Sequence, residues 1–489
     1  MRDFPLRRLR LLRPDEAKRE GEYVLYWMTA FRRLHSNFAL QRAADWAEEL
    51  GKPLLIFEAL RVDYPWASTR LHRFVVEGMA EHAHALQGGP VAYYPYLEAQ
   101  PGAGRGLLAA LAEKACVVVS DDFPSFFLPQ MWPAAQAKLH CRFELVDSNG
   151  LLPMRAAERA YERAYDFRRF LQKALPEHLR VFPAAQPLQE RSLRQAGALP
   201  AEIVKRWPPL DSASLIAGKV DLDSLPLDTN VAPAEEHGGS SEAQKRLRHF
   251  LRAGLSRYGQ DRNHPDEDAS SGLSPWLHFG HLSAHEVFQA LADWEEWTPE
   301  KLVAKAQGKR EGWWQMSEGA ESFLDELLTW RELAFNMCAL RPDDYARYDS
   351  LPAWAQRTLD NHRGDPRPKR YSLAQLEAAE THDQIWNAAQ RQIVREGRMH
   401  NYLRMLWGKK VLEWSASPEE ALETLIELNN KYGLDGRNPN SYAGIFWIFG
   451  RYDRPWAPER PIFGTIRYMS SDNTLRKLRM RDYLHRFRA

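Results

Sequence analysis

Tyr23-Val-Leu-Tyr-Trp-Met28 and Leu54-Leu-Ile-Phe57 are two short apolar runs, and residues 38–50 between them have helical periodicity. Short apolar runs bounded by polar residues are typical of buried strands. Gly51-Lys-Pro53 ends the predicted helix just before the second strand begins. This strand–helix–strand order predicts the opening unit of a parallel α/β sheet.

The same alternation of strand and helix signals continues to about residue 146. We predict helices at residues 71–86, 106–114 and 130–139, and strands at residues 91–94, 116–119 and 143–146. Because the strands are apolar throughout, both faces of their sheet should be covered by helices. The sequence therefore predicts a doubly wound, parallel α/β domain, to which we assign residues 1–181.

The rest of the chain has a different character. Residues 182–240 are rich in Pro, Ala, Asp and Ser with little periodicity, and we expect them to form a linker. Strand signals nearly vanish beyond it, so residues 241–489 should form an all-α domain. The predicted helices there are at residues 242–256, 284–293, 320–340, 384–396, 399–413 and 418–432.

Composition excludes several classes of protein. No apolar run is long enough to predict a membrane span, and the N-terminus lacks a secretory signal, so we expect a cytoplasmic protein, nucleoid-associated if prokaryotic. Three distant cysteines suit a reducing compartment and predict no metal cluster. Net charge is only +1, but residues 467–488 form a basic stripe. Phosphate binding and a solvated helix end explain that stripe equally well.

Phosphate-binding signals are uneven along the chain. No G-x-G-x-x-G follows the first strand, and the Gly102-Ala-Gly-Arg-Gly106 loop is better explained as a flexible turn. Ser270-Ser-Gly-Leu-Ser-Pro-Trp-Leu-His-Phe-Gly280 is a better candidate, because small residues let the backbone approach a diphosphate. A helix entry with N-cap serines would explain the same residues.

Two other patterns point to chemistry. Glu326 and Trp330 are four residues apart on a predicted helix, so the carboxyl and the indole can meet one base. Trp407 and Trp414 are seven apart, which is two turns and about 10 Å of rise, and Trp386 on the preceding helix could lie between them. An amphipathic helix and a three-tryptophan core contact are the alternatives.

Three long segments, in order, resemble class II cyclobutane pyrimidine dimer (CPD) photolyases of the photolyase/cryptochrome superfamily. They are His382–Gln390, Gly397–Lys410 and Asn429–Trp447, and the 270–280 and 323–332 segments are similar to the same family. The resemblance runs from about residue 22 to residue 487. His264 and Asn430 depart from it, since each stands where the family has an acid.

This resemblance implies a light-driven repair enzyme with a non-covalent, U-shaped FAD in the helical domain. Excited FADH⁻ would give an electron to a dimer flipped out of UV-damaged DNA, and the electron would then return. The implied FAD-binding residues are Tyr258, Ser270, Ser271, Leu273, Ser274, Arg331, Asn401, Arg404, Asn429 and Asp435. The implied substrate residues are Glu326, Met405, Trp330 and Trp447, with Asn429 beside flavin N5, and the implied electron-transfer residues are Trp407, Trp386 and Trp414.

The resemblance also frames the remaining expectations. An antenna chromophore of unknown identity can bind the α/β domain, and neither a metal nor an obligatory protein partner is expected. A cryptochrome often has a long tail, whereas this chain stops just after its last helical motif, and a 6-4 photolyase would need an active-site His pair where Met405 stands. A nicotinamide-linked flavoprotein lacks support without a Rossmann fingerprint, and a non-enzymatic DNA-binding protein would not need the flavin motifs.

Overall fold

The computed structural model describes residues 4–488, which divide into two compact units. Within the described range, the first comprises residues 4–156, 174–247 and 273–290, and the second comprises residues 157–173, 248–272 and 291–488. Residues 182–240, expected to be a linker, fall within the first unit. The assignment of functional domains to residues 1–181 and 241–489 stays a prediction.

A six-stranded sheet forms the centre of the first unit. Its strands are β1 Leu9–Arg13, β2 Tyr23–Met28, β3 Leu54–Leu60, β4 Ala92–Leu97, β5 Ala115–Asp121 and β6 Arg142–Val146. The spatial order is β1-β6-β5-β2-β3-β4, and every neighbouring pair is parallel except β1 with β6. The predicted doubly wound parallel domain is confirmed, with one additional antiparallel strand at its edge.

Helices make up most of the remaining structure. Those up to residue 294 are α1 Phe38–Leu50, α2 Thr69–Leu86, α3 Leu107–Glu113, α4 Leu128–Gln136, α5 Ala164–His178, α6 Ala201–Arg206, α7 Ser212–Ile216, α8 Ser240–His249, α9 Tyr258–Asp261, α10 Ser274–Phe279 and α11 Ala284–Trp294. The others are α12 Glu318–Leu324, α13 Arg331–Leu340, α14 Ala353–Asn361, α15 Leu373–Glu377, α16 Gln384–Glu396, α17 Asn401–Trp414, α18 Pro418–Tyr432, α19 Pro439–Ile448, α20 Ser471–Lys477 and α21 Arg481–Arg486.

Burial explains why the central strands formed where the apolar runs predicted them. Every residue of β2 and β5 is buried, and Trp132 of α4 packs edge-on against Trp27 with ring centroids 5.7 Å apart. Helix α1 begins where Asn37 caps it, because the side chain accepts hydrogen bonds from two backbone N–H groups of the first turn. Its C-cap, Gly51, has φ +60°, which glycine adopts without strain.

Two predicted helices are not continuous α-helices. The segment predicted as one helix over residues 320–340 consists of α12, a π-helical turn at Asp325–Trp330, and α13. The backbone N–H of Arg331 donates to the carbonyl of Glu326, five residues earlier. Likewise the predicted helix over 242–256 passes from α8 into a π-helical turn at Phe250–Gly254. Single π turns inside α-helices are frequent at functional sites.

Candidate active site

Glu326 forms an ion pair with Arg262. Oε1 of Glu326 accepts a hydrogen bond from Nη1 of Arg262 at 2.6 Å, and about a quarter to a third of each side chain is exposed. Burial acts to lower the pKa of Arg262, but the Glu326 carboxylate outweighs it, so that pKa is raised. The carboxyl predicted to meet a base therefore has a cationic partner, which the sequence pattern did not indicate.

The aromatic ring of Tyr258 packs against the Arg262 side of this ion pair. The guanidinium carbon of Arg262 lies 5.2 Å from the centre of the Tyr258 ring, which packs edge-on against both Phe250 and Phe323. Burial raises the pKa of Tyr258 to about 12, so its phenol stays protonated at neutral pH. Each π turn contributes one residue to this arrangement. One supplies Glu326, a member of the ion pair, and the other supplies Phe250, which packs against Tyr258.

The serine-rich segment surrounds the start of α10. Ser270 and Ser271 precede Gly272, whose φ of +64° turns the chain, while Leu273 is the N-cap and Ser274 is the first helical residue. Leu273 gives the helix no side-chain capping bond, so the structure does not show the N-cap serines of the alternative explanation. The unit boundary falls between residues 272 and 273, which leaves these candidates divided between two units.

Helix α17 carries several candidates in sequence. Asn401 is its first residue and is exposed, whereas Arg404 is largely buried and donates to Oδ1 of Asp435 at 3.2 Å. The Met405 methyl group lies against Gly444 of α19, 3.9 Å from where a Cβ would be. The spacing predicted this helix to begin at residue 399, but it begins two residues later, after His400.

Asn429 sits in a buried amide network. Its Nδ2 donates to Oδ1 of Asn430 at 3.2 Å, and the same oxygen accepts the backbone N–H of Arg437 at 2.7 Å. A Cβ at Gly436 would lie 2.8 Å from the carbonyl oxygen of Asn429, so the loop packs closely there. Asn430, which departs from the family pattern, thus holds both its neighbour and the loop that carries Asp435.

The three candidate electron-transfer tryptophans form one buried cluster. Trp386 and Trp407 have ring planes 9° apart with centroids at 6.3 Å, and Trp386 lies 5.5 Å from Trp414. The structure thus places Trp386 between the other two, as their spacing allowed. Tyr371 lies 5.1 Å beyond Trp414 and is partly exposed, so the aromatic contacts reach the surface of the unit.

The amine of Lys409 and the guanidinium of Arg467 face Trp447, the candidate wall on α19. Lys409 Nζ lies 5.0 Å and the guanidinium carbon of Arg467 lies 5.5 Å from its ring centre. Nζ of Lys409 also donates to the carbonyl of Ile448, the last residue of α19, at 2.6 Å. Helices α17 and α19 approach closely here, because a Cβ at Gly408 would lie 1.9 Å from Ile448. This junction fixes Trp447 relative to Met405.

The residues around α17 leave polar atoms for a ligand. Arg404 Nε and His400 Nδ1 are buried and have no hydrogen-bond partner within residues 4–488. Buried polar groups normally have partners, so these atoms fit a ligand that offers carbonyl oxygens and ring nitrogens. The isoalloxazine ring of a flavin offers both. Within the same described range, no group of three or more His, Cys, Asp or Glu side chains could hold a metal ion.

Three comparisons place the chain among known proteins. No protein-family model matches it. Proteins named deoxyribodipyrimidine photo-lyase do: one from Methanothermobacter thermautotrophicus is 35% identical over 99% of this chain and 98% of its own length. One from Potorous tridactylus is 32% identical over 98% of this chain and 84% of its length.

The chain belongs to the deoxyribodipyrimidine photo-lyase family.

Solved photolyase structures share the fold of this photo-lyase family member. A bacterial class III photolyase from Agrobacterium tumefaciens has a TM-score of 0.69 at 19% identity, covering 96% of this chain and 86% of that one. An archaeal photolyase from Sulfolobus tokodaii, solved with two FAD molecules, has a TM-score of 0.63 at 13% identity, covering 94% and 88%.

Sequence reasoning missed several residues of the candidate site. Arg262, Gln390 and Tyr371 contact Glu326, Trp407 and Trp414 respectively. Gln390 ends the His382–Gln390 segment and Arg262 lies two residues before His264, but a sequence segment alone does not say which side chains meet. The available signal was their polar character beside apolar neighbours, which predicts a buried partner without identifying it.

Proposed function

We propose that this chain is a class II CPD photolyase, which uses light and a non-covalent FAD to split pyrimidine dimers in UV-damaged DNA. The observation that carries the proposal is that helix α17 bears candidate residues for FAD binding, substrate binding and electron transfer. Within seven residues it presents Asn401 and Arg404 from the FAD set, Met405 from the substrate set and Trp407 from the electron-transfer set. One rigid helix can therefore fix the distances between cofactor, lesion and electron donor.

The cofactor would be held mainly by residues of the second unit. Arg404 and Asp435, joined at 3.2 Å, would lie beside the flavin ring, and the Asn429 carboxamide would face its N5 atom. Bound as FADH⁻, the flavin supplies the photochemistry by lending an electron to the dimer. Tyr258, Ser270, Ser271, Leu273 and Ser274 would bind the phosphate side, with Arg331 and Asn401 completing the set.

The substrate pocket would be lined by Glu326, Met405, Trp330 and Trp447. A dimer flipped from the duplex loses its pairing partners, and its carbonyl groups need new donors inside the site. The Arg262–Glu326 pair offers a cation and a carboxyl at one point, and Trp330 and Trp447 offer aromatic walls. Donors fixed before the reaction stabilise charge as it develops on a pyrimidine.

Class II membership is supported by the order Trp407–Trp386–Trp414 in space, which matches the chain that the sequence resemblance implied. On this proposal, residues 241–489 are the catalytic domain and residues 1–181 can hold an antenna chromophore, whose identity is open. DNA with CPD lesions would be the partner, and we propose a cytoplasmic location, nucleoid-associated if the source is prokaryotic. No helix of residues 4–488 is both long and apolar enough to cross a bilayer.

The proposal is tested with purified protein. Denaturation should release FAD into the supernatant, and reduced enzyme should restore CPD-containing oligonucleotides under light but not in the dark. A parallel sample with 6-4 photoproducts should remain unrepaired. Well-folded protein that never binds FAD, or that binds FAD and repairs no CPD, would contradict the proposal; the second outcome would favour a signalling role on the same fold.

A further inference from the structure

Gln390 is the hydrogen-bond partner of Trp407, and no role is assigned to it so far. Nε1 of Trp407 donates to Oε1 of Gln390 at 3.0 Å. Both side chains are fully buried, with exposures of 0% for Gln390 and 1% for Trp407. An indole N–H is only a donor, so the amide must present its oxygen to the ring.

The other end of this amide distinguishes it from its neighbours. Nε2 of Gln390 has no hydrogen-bond partner among residues 4–488. By contrast, Gln392, about half a turn further along α16, donates through Nε2 to Glu396 and accepts through Oε1 from the backbone N–H of His400. A buried glutamine whose amide NH₂ group lacks a hydrogen bond lowers the stability of the fold. An apolar side chain of similar size would fill the same space without that loss of stability. Its contact with Trp407 therefore calls for a reason beyond filling space.

We propose that Gln390 is a positioning residue for electron transfer, which holds the indole proton of Trp407 while that ring is oxidised. The inference rests on the proposed function. With FAD bound, Trp407 would give an electron to the photo-excited oxidised flavin, Trp386 would refill Trp407, and Trp414 would refill Trp386. An external thiol would then supply the electron that Trp414 lost.

These transfers between tryptophans move electrons only, and the acceptors of the two indole N–H groups would keep the indole protons in place. A carboxamide oxygen is a good acceptor but a very weak base, so it keeps the oxidised ring as a protonated radical cation. Hydrogen bonds to charged partners are roughly twice as strong as neutral ones, so the bond strengthens on oxidation. The Trp386 indole donates to the backbone carbonyl of Trp407 at 3.0 Å, which is an equally non-basic acceptor.

The first test is Gln390→Leu, which keeps the approximate volume and removes the acceptor. The rate of flavin photoreduction with a thiol should fall about tenfold, because the bond that grows on oxidation is missing. FAD content and repair by chemically pre-reduced enzyme should match the parent. Gln172→Leu is the matched control, since Gln172 is also a buried glutamine of the second unit but bonds Gly308 and Lys309.

The second test is Gln390→Glu, which offers Trp407 a base of nearly the same shape. Transient absorption should then show the neutral, deprotonated tryptophan radical, which the parent should not form at this position. A merely structural contact would not change the protonation state of the radical. In protein labelled with ¹⁵N-tryptophan, the indole resonance of Trp407, assigned with Trp407→Phe, should move upfield in Gln390→Leu as its hydrogen bond is lost.

The outcomes of these tests distinguish the role of Gln390 from the proposed photolyase function. If Trp407→Phe abolishes photoreduction while Gln390→Leu and Gln390→Glu both behave as the parent, the role of Gln390 is overturned and the proposed function stands. If Trp407→Phe photoreduces normally, the electron-transfer assignment itself fails and the inference falls with it.

Discussion

The carboxylate of Glu326 and the guanidinium of Arg262 are joined at 2.6 Å above the ring of Tyr258. Both partners keep some exposure, so an incoming base can reach either of them. A substrate carbonyl can accept a hydrogen bond from Arg262. Because the Glu326 carboxylate is partly exposed to solvent, this does not leave a buried charge without a partner. The pair thus holds its charges ready before a lesion enters, which is the condition for electrostatic stabilisation of a radical anion.

We expect Glu326→Ala to lower the quantum yield of repair more than it lowers lesion affinity, because the residue acts on charge that develops only after electron transfer. FAD occupancy should stay near that of the parent, since the side chain faces the substrate. Yield, affinity and flavin content are measured on one preparation. Glu423→Ala, on an exposed position of α18, is the control. Equal yields in Glu326→Ala and the parent would mean that the substrate residue is wrongly assigned.

Trp407→Phe should nearly abolish photoreduction of oxidised FAD in the presence of a thiol, and Trp386→Phe should behave similarly. Trp414→Phe should have a milder effect, because Trp386 remains in contact with Trp407 at 6.3 Å. Repair by chemically pre-reduced enzyme should survive in all three. Bleaching of the flavin absorption under light is the measurement, and Trp294→Phe, which alters an indole side chain that is 52% exposed, is the control.

Lesion binding should weaken with salt, since each phosphate contact releases counterions. Within the basic stripe, Arg479 pairs with Asp261 and Arg486 with Glu396, whereas Arg476 and Lys477 of α20 are exposed. The slope of log affinity against log salt is negative, and we therefore expect Arg476→Ala/Lys477→Ala to reduce its magnitude by about 2. Fluorescence anisotropy between low and physiological salt measures it. A slope near zero in the parent would contradict a phosphate-tracking surface.

The stability of the protein should rise with pH through Lys409. Burial lowers the pKa of this amine to about 7 from its ordinary 10.5. Between those values the unfolded chain binds a proton that the folded chain does not, so the free energy of unfolding increases as pH rises. The increase, on the order of a few kcal/mol, should be absent in Lys409→Met.

Asp453, which raises this pKa, and Arg467, which lowers it, are the charged groups acting on Lys409, so both must remain unchanged in the comparison. Urea unfolding at several pH values between about 7 and 10 gives the slope. Lys431→Met removes a lysine paired with Glu377 at 2.8 Å and should keep the slope of the parent. Parallel curves for Lys409→Met and the parent would show that the amine is charged inside the fold.

The sequence predicted the elements whose signals are local. Helix α16 begins and ends where expected, because Asp383 caps its first turn and Gly397 ends it with φ +69°. Strand β1 was missed, since Arg10 and Arg13 interrupt its leucines and none of its residues is fully buried at the sheet edge. A continuous apolar run marks a buried strand, but an edge strand carries no such mark.

Contacts between distant residues were harder to predict. The motif containing Glu326 indicated a carboxyl for a substrate, but its partner Arg262 lies 64 residues away. Gln390 and Trp407 both stood in quoted motifs, yet only the packing of α16 on α17 shows that they share a hydrogen bond. Periodicity also could not show the π turns, because one additional residue in a turn leaves the apolar pattern on each side intact.

The additional residue at Asp325–Trp330 acts as a phase shift within one long helix. Each residue of an α-helix advances the side chain by about 100°, so α13 faces a direction that an uninterrupted continuation of α12 would not. Phe323, before the shift, packs against Phe250, while α13, after it, packs against α19. Deleting a single residue between 325 and 330 would therefore leave a regular helix and yet turn one of these two faces away from its neighbour. The length of this segment is as much a part of the site as its side chains are.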